Sequence, residues 1–293
     1  MKVIHTILSL KHTLNDERIS GKSIGLVPTM GALHAGHIAL VERCVAENDI
    51  CVVSIFVNPT QFNDKNDLLK YPRTLETDCE LLKAAGCLIV FAPDVNEIYP
   101  EPDTRVFNFG SLEQVMEGAF RPGHFNGVAQ IVSKLFDMVQ PDKAYFGEKD
   151  FQQLAIICEM TKQLQLSTII VPCPIVREED GLAMSSRNTR LNISERESAA
   201  KISEILFKSR SFAGRTSIAE LKQQIIQIID EVPSLRTEYF EIVDGKTLQP
   251  LSDWKDSDYI VGCIAVFCGE VRLIDNINFT PKSPKGDLVS DRP

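Results

Sequence analysis

Ser23-Ile24-Gly25-Leu26-Val27-Pro28-Thr29-Met30-Gly31-Ala32-Leu33-His34-Ala35-Gly36-His37-Ile38 is the stretch on which the reading of this chain turns. Ser23–Val27 is a short apolar run that reads as a strand, and Ile38–Asn48 has the apolar spacing of a helix. Between them lies a turn of small residues that ends in two histidines three positions apart. Gly31 and Gly36 lack side chains, so a nucleotide can approach the backbone there. The start of the helix offers N–H groups and a positive dipole end to phosphate. Two imidazoles on that first turn can lie side by side and donate hydrogen bonds to charge developing on phosphorus. A plain structural turn and a pair of zinc ligands are the competing readings. Zinc needs further ligands, and no Cys or carboxylate pair at ligand spacing lies nearby, so phosphate binding is favoured.

Outward from this turn the first half of the chain alternates strand and helix. Ile50–Val57 is a strand of β-branched and apolar residues. Thr74–Ala85 has helical spacing that stops at Gly86, and Cys87–Phe91 is a buried strand. Asn126–Val139 reads as a helix, Lys143–Phe146 as a strand, Phe151–Leu164 as a helix and Thr168–Val171 as a strand. Such alternation implies a parallel sheet covered on both faces, with ligands at the carboxyl ends of its strands. The pattern changes near Pro172–Asp180. Two helical patterns follow, Ser194–Phe212 and Ser217–Ile229, and then strands at Glu238–Val243, Ile260–Phe267 and Val271–Ile274. The fold expected is α/β, with a nucleotide-binding domain over 1–176 and a smaller α+β domain over 177–280. A Pro-rich, charged tail over 281–293 has little to bury and is expected to be disordered.

Composition bounds the function. The 293 residues are 44% hydrophobic and 24% charged, as in an ordinary soluble globular protein. A net charge of −9, with a pI near 5.2 and no Lys/Arg-rich run, argues against a protein devoted to nucleic acid. No apolar run reaches the length of a bilayer and no signal-peptide pattern opens the chain. The eight Cys form no CxxC pair and mostly lie in apolar segments, which reads as reduced, buried thiols in a cytoplasmic protein.

Four other segments carry chemistry. Asp180-Gly181-Leu182-Ala183-Met184-Ser185-Ser186-Arg187-Asn188 sets two hydroxyls and a guanidinium on a loop able to wrap a triphosphate. Gly147-Glu148-Lys149-Asp150-Phe151-Gln152-Gln153 follows a strand. Its Lys149 can neutralise phosphate, and Gln153 offers donor and acceptor to a hydroxy acid. A solvated helix start capped by Asp150 is the plainer alternative. Asn58-Pro59-Thr60-Gln61-Phe62 follows the second strand and should share the sheet edge with the histidines. Arg121-Pro122-Gly123-His124-Phe125-Asn126-Gly127-Val128 is a Gly-rich turn before a helix.

The His-x-Gly-His arrangement resembles the signature of class I nucleotidyltransferases and class I aminoacyl-tRNA synthetases. Ser185–Arg187 looks like the counterpart of that superfamily's Lys-Met-Ser-Lys-Ser loop. All these segments in this order, with Tyr71-Pro72-Arg73-Thr74 and Arg272-Leu273-Ile274-Asp275-Asn276, resemble the pantothenate synthetase family from about Val3 to about Asn278. The resemblance implies a Rossmann-like first domain, a second domain acting as a lid, and a homodimer built on the first. It implies ATP-dependent condensation of (R)-pantoate with β-alanine through pantoyl adenylate, giving AMP and pyrophosphate. His34 and His37 would contact ATP phosphates, His37 as acid catalyst, with Lys149 the third catalytic residue. Met30, Gly31, Ala32, Leu33, Ala35 and Gly36 would line the nucleotide site. Gly147, Glu148, Asp150, Val176, Met184, Ser185, Ser186 and Arg187 would complete it. Gln61 and Gln153 would hold pantoate, with Gln61 also serving β-alanine. Magnesium is expected as a phosphate-bridging ion; the sequence names no ligand for it beyond Asp78 as a candidate. Asn126 departs from the Arg found in many relatives. Rivals are an adenylyltransferase acting on another acid, a truncated tRNA synthetase, which would need a basic surface, and a dead nucleotide sensor, which would have lost a motif residue.

Overall fold

The computed structural model describes residues 1–63 and 65–280, so the tail expected to be disordered falls outside the described residues. The first sheet comprises β1 (Lys2–Ile4), β2 (Ile24–Thr29), β3 (Ile50–Ile55), β4 (Ile89–Phe91), β5 (Lys143–Gly147) and β6 (Ile169–Cys173). Its order is β1-β4-β3-β2-β5-β6, with every neighbouring pair parallel. The crossovers run through α1 (Ile7–Ile19), α2 (Ala35–Glu47), α3 (Lys65–Lys70), α4 (Leu75–Ala84), α5 (Val95–Ile98), α6 (Met116–Phe120), α7 (His124–Val139) and α8 (Phe151–Gln163). In β3 five consecutive residues are buried, so both faces of the sheet are covered, as continuous β-branched runs require. Strand order reverses at β2, which has β3 on one side and β5 on the other. The ligand crevice of an open parallel sheet lies at such a reversal, and the histidine turn leaves β2 there.

β1 and α1 escaped the sequence pattern for a physical reason. In α1 only Leu10 and Leu14 are buried, a stripe too narrow to show as periodicity, and a Thr6 cap starts the helix by accepting the Ser9 N–H.

A second sheet holds β7 (Leu235–Asp244), β8 (Ile260–Cys268) and β9 (Val271–Asn278) in antiparallel order, with a bulge in β7 between Thr237 and Tyr239. Helices α9 (Ile193–Ser209) and α10 (Ile218–Asp230) join it, and Leu206, Leu221, Ile225, Phe240, Ile264 and Leu273 are among the residues of its core. Both helices open on capping boxes, Asn192 with Glu195 and Ser217 with Glu220.

The chain divides into two compact units. The first takes Met1–Phe109, Arg121–Gly147 and Gln153–Cys173; the second takes Gly110–Phe120, Glu148–Gln152 and the chain from Pro174 onward. A single cut near residue 176 was the expectation, and two short segments lie across it. The first is held by a buried ion cluster. Arg272 of β9 grips both oxygens of Glu117 at 2.9 and 2.7 Å and also binds Glu238, while the Tyr239 hydroxyl donates to Glu117 at 2.8 Å. Burial would lower the Arg272 pKa, but Glu117 and Glu238 raise it overall. The second segment carries Lys149, which therefore belongs to the second unit.

No described helix is long and apolar enough to cross a membrane. All eight Cys are free thiols and six are buried.

Candidate active site

The histidine turn is fixed through its own backbone amides. Asp78, on α4 and only 1% exposed, accepts the N–H of Ala32 at 2.9 Å through Oδ2 and that of Leu33 at 2.8 Å through Oδ1. The Thr74 hydroxyl donates to the same carboxylate, and Thr29 Oγ1 accepts the Gly31 N–H at 3.2 Å. Gly31 has φ +81°, and a side chain there would press on Asp78 and Ile55 at about 3 Å. Its missing side chain is demanded by the turn, a reason distinct from the nucleotide approach read from the sequence. Asp78 thus anchors the turn through both of its oxygens.

α2 then opens on a capping box built from imidazoles. His34 Nδ1 accepts the Gly36 N–H at 3.1 Å, and His37 Nδ1 faces the His34 N–H at 3.4 Å. The ring centroids are 4.1 Å apart. An Nδ1 that accepts an amide proton carries none of its own, so each neutral ring holds its proton on Nε2. The sequence offered the helix-end amides to phosphate. In the structure those of Ala32, Leu33, His34 and Gly36 have partners within the protein, which shifts the donor role towards the Nε2–H groups.

Gln61 is held from three sides in the same unit. Its Nε2 donates to Met30 Sδ at 3.1 Å, its Oε1 accepts from Asn58 Nδ2 at 3.1 Å, and its backbone carbonyl lies 2.8 Å from His124 Nδ1. Asn58 is itself pinned: Nδ2 reaches the Gly127 carbonyl at 3.1 Å, and Oδ1 accepts from the Thr60 and Tyr99 hydroxyls. Burial raises the Tyr99 pKa and so keeps the phenol a donor. α7 comes so close that a side chain on Gly127 would sit 2.4 Å from the Thr60 carbonyl, which requires glycine. Gln153 is half-buried near the start of α8. Asn126 accepts the Phe107 N–H at 2.8 Å and donates to the Arg105 carbonyl at 3.4 Å, and so braces the backbone.

In the second unit Glu148–Asp150 form a 3-10 turn, with Lys149 Nζ 4.0 Å from Asp150 Oδ2 and its side chain 19% exposed. The loop with Met184–Arg187 grows from a short hairpin: Arg177 bridges Ala183, the Glu178 N–H meets the Leu182 carbonyl, and the Met184 N–H meets the Val176 carbonyl. Arg196 of α9 clamps the hairpin tip through Glu178 and Asp180, which lowers the Asp180 pKa. Ser185 caps a 3-10 turn by accepting the Arg187 N–H at 3.2 Å, and Asn188 Nδ2 donates to Glu178 at 2.7 Å.

The profile of the family described as pantoate–β-alanine ligase matches residues 2–278. The chain belongs to that family. The pantothenate synthetase of Bacteroides thetaiotaomicron is 66% identical over 279 residues, covering 95% of this chain and 99% of the relative. A crystal structure of pantothenate synthetase from Thermus thermophilus superposes with TM-score 0.89 at 46% identity, covering 96% of this chain and all of that one. The pantoate–β-alanine ligase of Francisella tularensis, solved in complex with "Beta-gamma ATP" and β-alanine, gives TM-score 0.80 at 35% identity over 95% of this chain and 98% of that one. The chain is an enzyme, a ligase of this family, with the α/β fold expected of it.

Against the family pattern, the first unit brings together Met30–His37 with Gln61, and it also carries Gly147 and Gln153. The second carries Glu148, Lys149, Asp150, Val176 and Met184–Arg187. Sequence reasoning passed over the parts that hold these residues. Thr29 and Asn58 sat inside quoted segments without a role, and Tyr99 had no signal at all. Asp78 stood out only as a candidate ligand for magnesium.

Proposed function

We propose that this chain joins pantoate to β-alanine in two steps through pantoyl adenylate. The observation that carries the reading is the paired imidazoles of His34 and His37, whose capping geometry puts a proton on each Nε2. In the first step a carboxylate oxygen of pantoate attacks the α-phosphorus of ATP, the bond to the bridging oxygen breaks, and pyrophosphate leaves. Charge grows on the phosphoryl oxygens and the leaving group. Donors already oriented towards such charge lower the barrier without reorganisation. His37, which the resemblance casts as the acid catalyst, acts here as a neutral donor that holds the developing charge through Nε2–H without giving up its proton, with His34 its neighbour on the phosphates and Lys149 the fixed cation. Met30–Gly36, Gly147, Glu148, Asp150, Val176 and Met184–Arg187 serve ATP binding. In the second step the free amine of β-alanine attacks the acyl carbon, the bond from that carbon to the oxygen bridging it to phosphorus breaks, AMP leaves with the bridging oxygen, and the nitrogen loses a proton.

Gln61 and Gln153 hold pantoate, and Gln61 also serves β-alanine. The Met30 and Asn58 contacts of Gln61 support a fixed side chain suited to that role. Magnesium enters as the counter-ion of ATP. Among the described residues no three His, Cys, Asp or Glu gather to hold a metal ion, so no protein ligand is assigned to it. A homodimer follows from the family resemblance, and sedimentation of a monomer at working concentration would reject it. The reduced thiols support a cytoplasmic setting, and the acidic charge supports small molecules rather than nucleic acid as partners.

The test is a single turnover with ATP, magnesium and pantoate. Pyrophosphate is expected without β-alanine, and AMP only after β-alanine is added. Pyrophosphate that appears only with β-alanine present would overturn the separable adenylate.

A further inference from the structure

The closing motif Arg272–Asn276 has no chemistry of its own in the scheme above, yet its polar side chains reach the two elements assigned to ATP in the second unit. By the two-residue period of a strand, Val271, Leu273, Asp275 and Ile277 share one face of β9, while Arg272, Ile274 and Asn276 share the other. Val271, Leu273 and Ile277 belong to the core. Asp275, 5% exposed on that face, takes both ends of the Arg177 guanidinium at 2.7 and 2.8 Å. Arg177 stands at the root of the hairpin that leads into Met184–Arg187. On the other face Asn276, 9% exposed, donates from Nδ2 to the carbonyls of Glu148 at 2.8 Å and Lys149 at 3.1 Å. A small cavity is lined by Lys149, Ala183, Ser185 and Asp275 together.

From this geometry we infer that Asn276 is a positioning residue for Lys149, and that β9 sets Lys149 in register with the Ser185 loop by holding one with Asn276 and the other with Asp275. The inference rests on the reading of Lys149 as a phosphate ligand. One side-chain amide spans two successive carbonyls, which fixes the orientation of both peptide planes and with them the Cα–Cβ direction of Lys149. Those carbonyls would otherwise point their negative ends at will beside a polyanion.

The experiment is single-turnover pyrophosphate release by the full chain, with saturating pantoate and varied ATP. Asn276→Ala is expected to lose about 10²-fold, the scale of a misplacement near 1 Å, at a melting temperature that calorimetry records alongside. Asn276→Asp is closer in shape, yet it is expected to lose more, because a carboxylate would face two carbonyl oxygens. Lys149→Ala is measured beside them, together with the double variant. If Asn276 acts through Lys149, the double variant loses no more than Lys149→Ala alone. Should Asn276→Ala fail to fold, Asn276→Ser, small and still a donor, takes its place in the same cycle. A Lys149→Ala enzyme with an unchanged first step would overturn the phosphate reading of Lys149. A crippled Lys149→Ala beside an unaffected Asn276 variant, an Asp variant milder than Ala, or losses that add in the double variant would each overturn the positioning role.

Discussion

The turn at Gly31–His37 is fixed through its N–H groups, and the turn at Glu148–Lys149 through its carbonyls. In the first, Asp78 and Thr29 supply acceptors for the backbone amides, and the capping box takes two more. In the second, Asn276 supplies a donor to two carbonyl oxygens. The difference decides what each turn can offer a polyanion. Where the amides are already bonded, a donor must come from side chains, the place the proposed function gives to the imidazole Nε2–H groups. Where the carbonyls are bonded, the backbone's negative ends are tied back, and the proposed function gives the anion to a cationic side chain, Lys149. An acidic anchor and an amide anchor are therefore suited to different jobs and should not be interchangeable.

The largest expected effect breaks or sharpens this comparison directly. His37→Ala and Lys149→Ala each remove one donor to the developing charge, and each should lose about 10²–10³ in first-step rate. With synthetic pantoyl adenylate and β-alanine supplied instead, both should lose far less, since AMP is already a good leaving group. Stopped-flow pyrophosphate release and pantothenate formation read the two halves separately. Equal losses in both would mean that these residues hold the adenylate generally, and the contrast between side-chain donors and a fixed cation would lose its catalytic meaning.

How much of this was legible before the structure follows the same line. The alternation of apolar runs announced the parallel sheet, because fully buried strands must be continuous in β-branched and apolar residues. The residues proposed to react stood out in the sequence by types that are costly to place without a use: paired histidines, and a lysine directly after a buried strand. The anchors did not. Asp78 lies 46 and 45 residues from the amides it binds, and between Glu76 and Glu80 on an amphipathic helix it looks like part of a solvated face. Asn276 sits in a β-rich run where its amide could face either way. The segments 110–120 and 148–152 were placed with the first half because chain order is all a sequence shows. It is the Glu117–Arg272 cluster and the Asn276 contacts that draw them into the second unit, and pairing over more than a hundred residues leaves no local pattern.

Asp78 gives the next effect in size. Asp78→Ala removes the carboxylate that accepts from the half-buried Ala32 and Leu33 amides, at up to roughly 1–3 kcal/mol for each lost acceptor. It should also loosen the turn that aims both imidazoles. Asp78→Asn keeps one acceptor oxygen but turns a donor towards the other amide, so it should fall between wild type and alanine in melting temperature and in first-step rate. If Asp78→Asn lost the first step entirely while keeping its melting temperature, the carboxylate charge itself would be at work, and the anchoring account of the histidine turn would be wrong.

The smallest effect concerns acid, and it contrasts one carboxylate from each unit, the first enclosed and the second on the surface. In the first unit Asp103 accepts from the Arg105 side chain at 2.7–3.2 Å, lies near Lys134, and has its side chain only 4% exposed. The Arg105 hydrogen bonds hold its pKa down at about 2, below the ordinary 3.8. In the second unit Glu204, bonded by Lys201 and Lys208 on the surface of α9, is also held at about 2, but its side chain is 41% exposed, so salt should screen it. The sign is the same for both. A carboxylate whose folded pKa is lowered contributes stability above its unfolded pKa, and that contribution disappears as pH falls through the folded one. Thermal stability should therefore decline as pH falls from about 4 to about 2. The part due to Asp103 should persist in high salt, and the part due to Glu204 should fade. Asp103→Asn should flatten the decline at high salt, while Glu204→Gln should leave it unchanged there. A decline at high salt that Asp103→Asn did not alter would show that the Arg105 pair is as well screened as a surface pair, and the distinction between the units on this point would go.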